Sequence, residues 1–182
     1  MRKLLFVFFI LVSTLTYSQV SQVDSLKKLL KEAKHDTVRC YILSLIVEYE
    51  YDEKLWPIYN DQLAKLAQKN ATAAASKHLN TFYLKYYAGS LNNKGFLTQE
   101  HGDIVKALEY YSSALKTQEQ IDDKKGMATS INNIAYIYMH QGDIPKALES
   151  VKKAMQLQID VGDSAGVALS LNNLGNIYKN KN

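Results

Sequence analysis

The sequence has little of the residues that build disulfide frameworks and flexible linkers. It contains one cysteine, two prolines and eight glycines among 182 residues. The single cysteine, Cys40, forms no internal disulfide, and its apolar neighbours predict an inert thiol buried in a helix. The alternative for Cys40 is an intermolecular bridge. The scarcity of glycine and proline argues against a long linker.

A strong charge of either sign is also absent. The chain has 22 basic and 18 acidic residues and a net charge of +4. Two of the positive charges, Arg2 and Lys3, lie in a segment that we expect to be removed, which leaves about +2 on the mature chain. So small a charge predicts no binding of nucleic acid and no attraction to anionic lipid.

Motifs of catalysis and of cofactor binding are missing as well. The sequence has no glycine-rich phosphate loop, no Gly-x-Ser-x-Gly and no zinc motif. None of the four histidines forms a metal-binding pair with another: His35, His78, His101 and His140. The paired aspartates Asp122-Asp123 flank a helix start, so capping explains them better than cation binding. We therefore expect no enzyme, no cofactor and no metal.

The first 18 residues have the order of a secretory signal peptide. Arg2-Lys3 precede an apolar run, Leu4 to Val12, and a more polar tail ends at Ser18. The run is too short for a membrane span of about 20 residues. We expect cleavage near Ser18, an exported mature chain in the periplasm or at the cell surface, and no membrane insertion of that chain. An uncleaved amphipathic anchor or a buried helix is the alternative.

Residues 19–85 have helical periodicity without a plain repeat. The spacing predicts four helices: a short one from Ser21 or Asp24 to about Lys34, one capped by Asp36 over 37–51, one from Glu53 or Trp56 to Lys69 closed by Asn70, and a long one from about Thr72. A break near Gly89 is the alternative for the last. The apolar face of the second helix consists of Val38, Tyr41, Ile42, Leu45, Ile46 and Tyr49.

A period of forty residues governs the second half. Residues 102–109 (GDIVKALE) return at 142–149 (GDIPKALE), and 131–138 (INNIAYIY) return at 171–178 (LNNLGNIY). A fixed period of roughly 20 to 50 residues is typical of a solenoid whose units stack on their neighbours. The chain is thus predicted to be all-α.

Four helices are predicted in this half, each with its own start. They run from the Asp103 cap to about Ile121, from Lys124 to about Gln141, from the Asp143 cap to about Asp160, and from a Ser164 cap to Lys179. At each Gly-Asp step the glycine ends one helix and the aspartate caps the next. The last helix is half of a pair, which leaves some apolar residues without their usual cover: Val167, Leu171, Leu174 and Tyr178.

The repeated residues resemble the tetratricopeptide repeat family. In that family, helix A carries a bulky residue, Leu-Gly and Tyr, and helix B carries Ala, an aromatic residue and Ala. The matching places are Ile131, Ile134, Ala135 and Tyr138, then Ala147, Val151 and Ala154. One repeat earlier they include Leu91, Gly95, Ala107, Tyr111 and Ala114, and one repeat later Leu171, Leu174, Gly175 and Tyr178.

The resemblance implies an antiparallel helix-pair solenoid that forms a right-handed superhelix. Residues 86–182 would be the array, ending in a half-repeat, and residues 19–85 would contain a degenerate earlier repeat. The forty-residue period is similar to the long-helix branch that includes kinesin light chain. With its signal peptide, the chain also resembles the exported front part of tetratricopeptide-containing sensor kinases and regulators of Bacteroidetes.

The resemblance further implies a peptide-binding groove lined by helix A of each repeat. The fifth family position projects into it, and the next turn follows, which selects Asn92, Phe96, Asn132, Tyr136, Asn172 and Asn176. An asparagine amide both donates and accepts, which suits a peptide backbone. Adjacent residues point about 100° apart on a helix, so we assign Asn93, Asn133 and Asn173 to bonding between repeats. The alternative is that the first asparagines stabilise repeat stacking.

These inferences predict a non-enzymatic scaffold that binds a peptide or protein partner. The alternative is the sensory segment of a longer, or truncated, membrane-bound histidine kinase or transcriptional regulator, which would act in signal transduction. Self-association through the C-terminal half-repeat is compatible with both.

Overall fold

Helices account for the secondary structure. The computed structural model describes residues 22–50 and 52–180, and this part contains eight helices and no strand. They are α1 (22–32), α2 (Asp36–Tyr49), α3 (Trp56–Thr72), α4 (Lys77–Glu100), α5 (Ile104–Gln120), α6 (Lys124–His140), α7 (Ile144–Asp160) and α8 (Ser164–Asn180). The predicted all-α class is confirmed. The expected signal peptide, residues 1–18, lies outside the described residues.

The predicted caps of the N-terminal helices need correction. Helix α2 begins at Asp36 itself, with His35 as the N-cap residue. The Asp36 carboxylate bonds instead to a side chain of the same helix, since its Oδ1 accepts a hydrogen bond from Arg39 Nη1 at 3.3 Å. Helix α3 begins at Trp56, the later of the two predicted starts.

The connection between α3 and α4 also differs from its prediction. Helix α3 continues past Asn70 to Thr72, and the Asn80 side chain caps its end by donating to the Ala71 carbonyl at 2.8 Å. Helix α4 then begins after Ser76, whose Oγ accepts from the Leu79 amide at 3.2 Å, and not at Thr72. The predicted long helix is present, without a break at Gly89.

The chain divides into two compact units, Met1–Leu66 and Ala67–Asn182. In the first unit Lys27 Nζ donates to Glu50 Oε2 at 2.7 Å and lies 5.5 Å from the Tyr59 ring centroid. The hydrogen bond to Glu50 raises the pKa of Lys27. Cys40 is fully buried, and burial raises its thiol pKa to about 12. The prediction that Cys40 is buried in a helix is therefore confirmed, and a raised pKa is typical of the inert thiol that we expect there.

In the second unit, the helices from α4 to α8 are joined by connections that are all three residues long and have the same backbone form. The middle residue of each connection has a positive φ: Gly102 (82°), Asp122 (53°), Gly142 (79°) and Gly162 (70°). An aspartate follows each of them, and its Oδ1 accepts the backbone amide three residues later at 3.1 to 3.2 Å. The predicted Gly-Asp steps are confirmed, whereas the predicted Ser164 cap is wrong because Asp163 caps α8.

The connections explain the sequence period. Each helix from α5 to α8 has 17 residues, and each connection adds three. One helix and its connection thus occupy twenty residues, and the helix pair repeats after forty.

The two helices of each pair pack closely where one of them carries a small residue. A Cβ on Gly95 of α4 would lie 2.5 Å from Tyr111 Cε1 of α5, so the tyrosine ring packs directly on this glycine. At the equivalent place in the next pair, Ala135 and Val151 lie in one core cluster. The larger residue on one helix is matched by the smaller one on its partner, as close packing requires.

The second unit has an inner and an outer side. Helix α4 contacts α6, and α6 contacts α8, whereas α5 and α7 make no contact with each other. The helices α4, α6 and α8 therefore lie closer together and form the inner side of the array. They correspond to helix A of the family pattern, and α5 and α7 correspond to helix B.

Candidate interaction surface

A buried hydrogen-bond network joins each repeat to the next. Ser130 Oγ of α6 donates to Asn92 Oδ1 of α4 at 3.0 Å. In the orientation of the Gln118 amide that satisfies every atom, its Nε2 donates to Ser130 Oγ (2.7 Å) and its Oε1 accepts from Asn92 Nδ2 (3.2 Å). The three side chains then form a closed ring of donors and acceptors, which favours cooperative bonding in a dry interior.

The same three residue types are hydrogen-bonded to one another forty residues later, with donors and acceptors reversed. Asn132 Nδ2 donates to Ser170 Oγ at 2.9 Å, and Ser170 Oγ donates to Gln158 Oε1 at 2.6 Å. Asn132 is 4% exposed, and Ser170 is fully buried. No buried side-chain nitrogen or oxygen in the described part of the chain lacks a partner.

These contacts correct the placement of two predicted groove residues. Asn92 and Asn132 do not project into an open groove, because the first helix of the following repeat packs over them. A serine of that helix forms a hydrogen bond with each asparagine amide. They make the inter-repeat bonds that were assigned to Asn93 and Asn133. Asn172, at the equivalent place on α8, is exposed.

Two further contacts recur between successive repeats: a glycine beside the glutamine of the network, and a lysine–aspartate ion pair. Glycines at 126 and 166 leave room for the glutamines, since a Cβ there would lie 2.9 Å from Gln118 Nε2 or from Gln158 Cδ. Lys85 Nζ lies 3.9 Å from Asp123 Oδ1, and Lys125 Nζ lies 3.4 Å from Asp163 Oδ2. The serines and glutamines were missed from the sequence, although their forty-residue recurrence was visible there.

The exposed face of α4, α6 and α8 is the inner surface. Phe96 is 50% exposed and Tyr136 is 44% exposed, and Asn176 is exposed at the same place in α8. One turn before each of them is a half-buried asparagine: Asn93, Asn133 and Asn173. We define the inner surface by these six residues. Of the predicted site residues, Phe96, Tyr136 and Asn176 belong to it.

A cleft of about 280 Å³ lies at one end of the inner surface, between α4 and α6. Helix α4 contributes Gln99 and Glu100, and α5 contributes Ile104. The other wall is the end of α6 and the residue after it: Tyr136, Ile137, His140 and Gln141. The Tyr136 and His140 rings are in tilted contact, with their centroids 4.2 Å apart and their planes at 50°.

The face of α8 that carries Leu171, Gly175 and Tyr178 is not covered by any other described helix. Leu171 is 53% exposed, whereas Ile131 and Leu91 at equivalent places are 4% and 7% exposed. Tyr178 is 48% exposed, and a Cβ on Gly175 would meet no atom within 4 Å. The prediction that Leu171 and Tyr178 lack cover is confirmed, while Val167 and Leu174 are half-buried.

Across 22–50 and 52–180, no three histidine, cysteine or acidic side chains come together as a metal site. None of the helices in these segments combines the length and apolarity needed to cross a membrane.

Comparison with known proteins relates the sequence and the fold to one family. Residues 126–181 match the model described as tetratricopeptide repeat. No curated protein matches the sequence. The crystal structure of BtubC (BKLC) from P. vanneervenii is similar, with a TM-score of 0.63 and 21% identity. The match covers 90% of this chain and 64% of that one, so this chain spans less than two thirds of that length.

At this identity, the likeness to BtubC concerns the fold alone. Tetratricopeptide repeats imply a scaffold for protein interactions. The repeated helix pairs and the match over residues 126–181 confirm the predicted resemblance: this chain fits the tetratricopeptide repeat family.

Proposed function

We propose that this chain is a non-enzymatic scaffold that binds an extended peptide or protein segment along the inner surface. The observation that supports this proposal is the pair of half-exposed aromatic side chains, Phe96 and Tyr136, at equivalent places on neighbouring helices. Aromatic residues bury a large area at a small entropic cost, and they are enriched among the residues that dominate binding energy.

Asparagines beside the aromatic residues supply polar contacts. Asn133 and Asn173 are half-buried and lie one turn from Tyr136 and Asn176. Their amides can donate to a peptide carbonyl and accept from a peptide N–H. The aromatic residues would then contact side chains of the partner, and the amides would contact its backbone whatever its sequence.

Peptide selection tests this proposal without a known partner. A displayed library of random peptides is selected on immobilised protein, and affinities of the selected peptides are measured by fluorescence polarisation. We expect Phe96→Ala with Tyr136→Ala to weaken the selected peptides by about tenfold or more, because each truncation removes a large buried contact.

The matched control changes an exposed apolar residue on the outer side. Val105 of α5 is 72% exposed, and Val105→Ala should leave the affinities unchanged. Peptides that bind both variants as tightly as wild type would contradict a site on the inner surface. Circular dichroism would verify that each variant keeps its helices.

We also propose an exported location, in the periplasm or at the cell surface, and self-association of the chain through the uncovered face of α8. A second copy is the proposed occupant because α5 and α7 of this chain already cover the equivalent face of α4 and α6, as Tyr111 does at Gly95 and Val151 does at Ala135. The other candidate role is that of a sensory segment in a longer signalling protein, where a following helix would cover Leu171 and Tyr178 instead, as α7 covers Ile131 and Tyr138.

A further inference from the structure

The cleft between α4 and α6 differs from the rest of the inner surface because its acidic and aromatic residues are not repeated forty residues later, although Ile104 and Ile137 recur as Ile144 and Ile177. Forty residues on from Glu100, Tyr136 and Gln99 are His140, Asn176 and Met139. Residues that stabilise the fold recur in each repeat, as the asparagine, serine and glutamine of the network do. The acid and the aromatic ring at this cleft occur together once, and the repeat does not require them.

The shape of the cleft fits one long side chain. Its volume of about 280 Å³ is just below the range of about 300 to 1,000 Å³ of small-molecule sites. The buried Ile137 and the half-buried Ile104 supply an apolar floor, and the Tyr136 ring forms one wall. A chain of methylene groups could pack on this floor.

The charge of the cleft is negative. Glu100 lies in its wall, and none of its lining residues is a lysine or an arginine. The Glu100 charge also reaches the neighbouring Tyr111: burial is the main cause that raises the pKa of Tyr111 to about 12, and Glu100 adds to it. Helices α4 and α6 both end at the cleft, so their C-terminal partial charges have the same sign as the carboxylate, while Asp103 caps the opposing start of α5.

We propose that this cleft binds the arginine or lysine side chain of a peptide that lies along the inner surface. The methylene stem packs on Ile104 and Ile137, and the cationic group lies between the Glu100 carboxylate and the face of Tyr136. A carboxylate and an aromatic face are the two groups that stabilise a guanidinium most directly. This inference rests on the proposed peptide-binding function and adds the chemistry that selects one residue of the peptide.

Two small compounds of the same shape test the charge requirement. N-acetyl-arginine amide and N-acetyl-citrulline amide are titrated into ¹⁵N-labelled protein, and amide shifts are followed by NMR. We expect the arginine compound to shift the amides of Gln99, Glu100, Ile104 and Tyr136 and to bind about fivefold or more tightly than citrulline. No comparable shifts are expected around Asn176, at the equivalent place one repeat later.

Two variants distinguish the loss of the Glu100 charge from a general effect on the fold. Glu100→Gln should reduce the affinity for the arginine compound to the level of citrulline and leave citrulline unchanged. Glu109→Gln, an equal change on the exposed face of α5, should alter neither. The spectra themselves report whether each variant is folded.

The outcomes distinguish this inference from the proposed function. Equal binding of both compounds, shifts away from the cleft, or no shift at about 50 mM compound would overturn the cationic site. If selected peptides still require Phe96 and Tyr136 in that case, the inner surface remains the binding site without this cleft. If the arginine compound binds at the cleft as expected and no peptide is selected, the inner-surface function fails and the cationic site remains.

Discussion

Asparagine in the middle of a helix costs roughly half a kcal/mol relative to alanine, and this chain has three such pairs at equivalent places. The structure explains the first member of two of these pairs. Asn92 and Asn132 bond to a serine of the next repeat, and that serine bonds to a glutamine of the intervening helix. Their helical cost is therefore offset by a bond that only the correct repeat spacing can form.

The sequence predicted the places of these asparagines but not their roles. Adjacent residues on a helix point about 100° apart, so one of each pair had to face the neighbouring repeat and the other the inner surface. Which one does so depends on the direction from which the next helix approaches, and periodicity carries no such information. Phe96 and Tyr136, one turn further on, are exposed as predicted, and their role in binding stays a prediction.

Removal of the serine hydroxyl should destabilise the array. Ser170→Ala leaves the Asn132 and Gln158 amides buried without their shared partner, so we expect the free energy of unfolding to fall by about 1 to 3 kcal/mol. Urea unfolding followed by circular dichroism measures it. The double variant with Asn132→Ala should lose less than the sum of the two single changes.

The array contains its own control for this experiment. Asn172 occupies the same place on α8 but is exposed, so Asn172→Ala should change the free energy of unfolding by less than about 0.5 kcal/mol. A Ser170→Ala variant as stable as Asn172→Ala would show that the network contributes nothing to stability.

At the scale of whole helices, the sequence predicted the second unit better than the first. The connections after α4 to α7 each place a positive-φ residue before a capping aspartate, and this chemistry is local enough to be recognised from residues alone. The starts of α2 and α4 were missed because the neighbouring polar residues offered several caps. Asp36 bonds to Arg39, and Ser76 caps a helix whose predicted start was Thr72.

One connection has a residue that does not suit its backbone. Asp122 has a φ of 53°, where the three equivalent positions carry glycine. Side chains are disfavoured in this region, although less for aspartate than for most residues. We expect Asp122→Gly to raise the free energy of unfolding by roughly 0.5 to 1 kcal/mol and the midpoint of thermal unfolding by a few degrees, measured by circular dichroism.

The reverse change at the equivalent position is its control. Gly162→Asp recreates the strained connection between α7 and α8, so it should lower the stability by a similar amount. Opposite signs for the two variants would confirm that the backbone conformation is the cause. A destabilising effect of Asp122→Gly would instead show that the aspartate side chain has a stabilising role of its own.

For the molecule as a whole, the forty-residue period was sufficient to predict stacked helix pairs. It could not predict the surface of the first unit, where Val38 and Tyr41 have the spacing of core residues and are 45% and 54% exposed. Helical spacing shows which residues share a face, whereas burial depends on what packs against that face. The same limit applies to the cleft at Glu100, which forms only where three consecutive helices pack together.

The uncovered face of α8 leads to a prediction about assembly. Leu171, half exposed, takes the place at which Ile131 is buried against Ala154 of the following helix, and Asn172 and Gly175 beside it also lack the partner that their equivalents have. We expect wild-type protein to associate as its concentration rises from about 5 to about 200 µM, measured by sedimentation velocity. Leu171→Glu should remain monomeric over that range, because a charge on this face is costly to bury.

Ile159 of α7 provides the matched control, since it is 53% exposed like Leu171. Its equivalent, Glu119, is exposed even where a further repeat follows, so this position faces solvent in a covered array. Ile159→Glu should therefore associate as wild type does. Wild-type protein that stays monomeric at about 200 µM would overturn self-association and favour a following repeat of a longer polypeptide as the cover of α8.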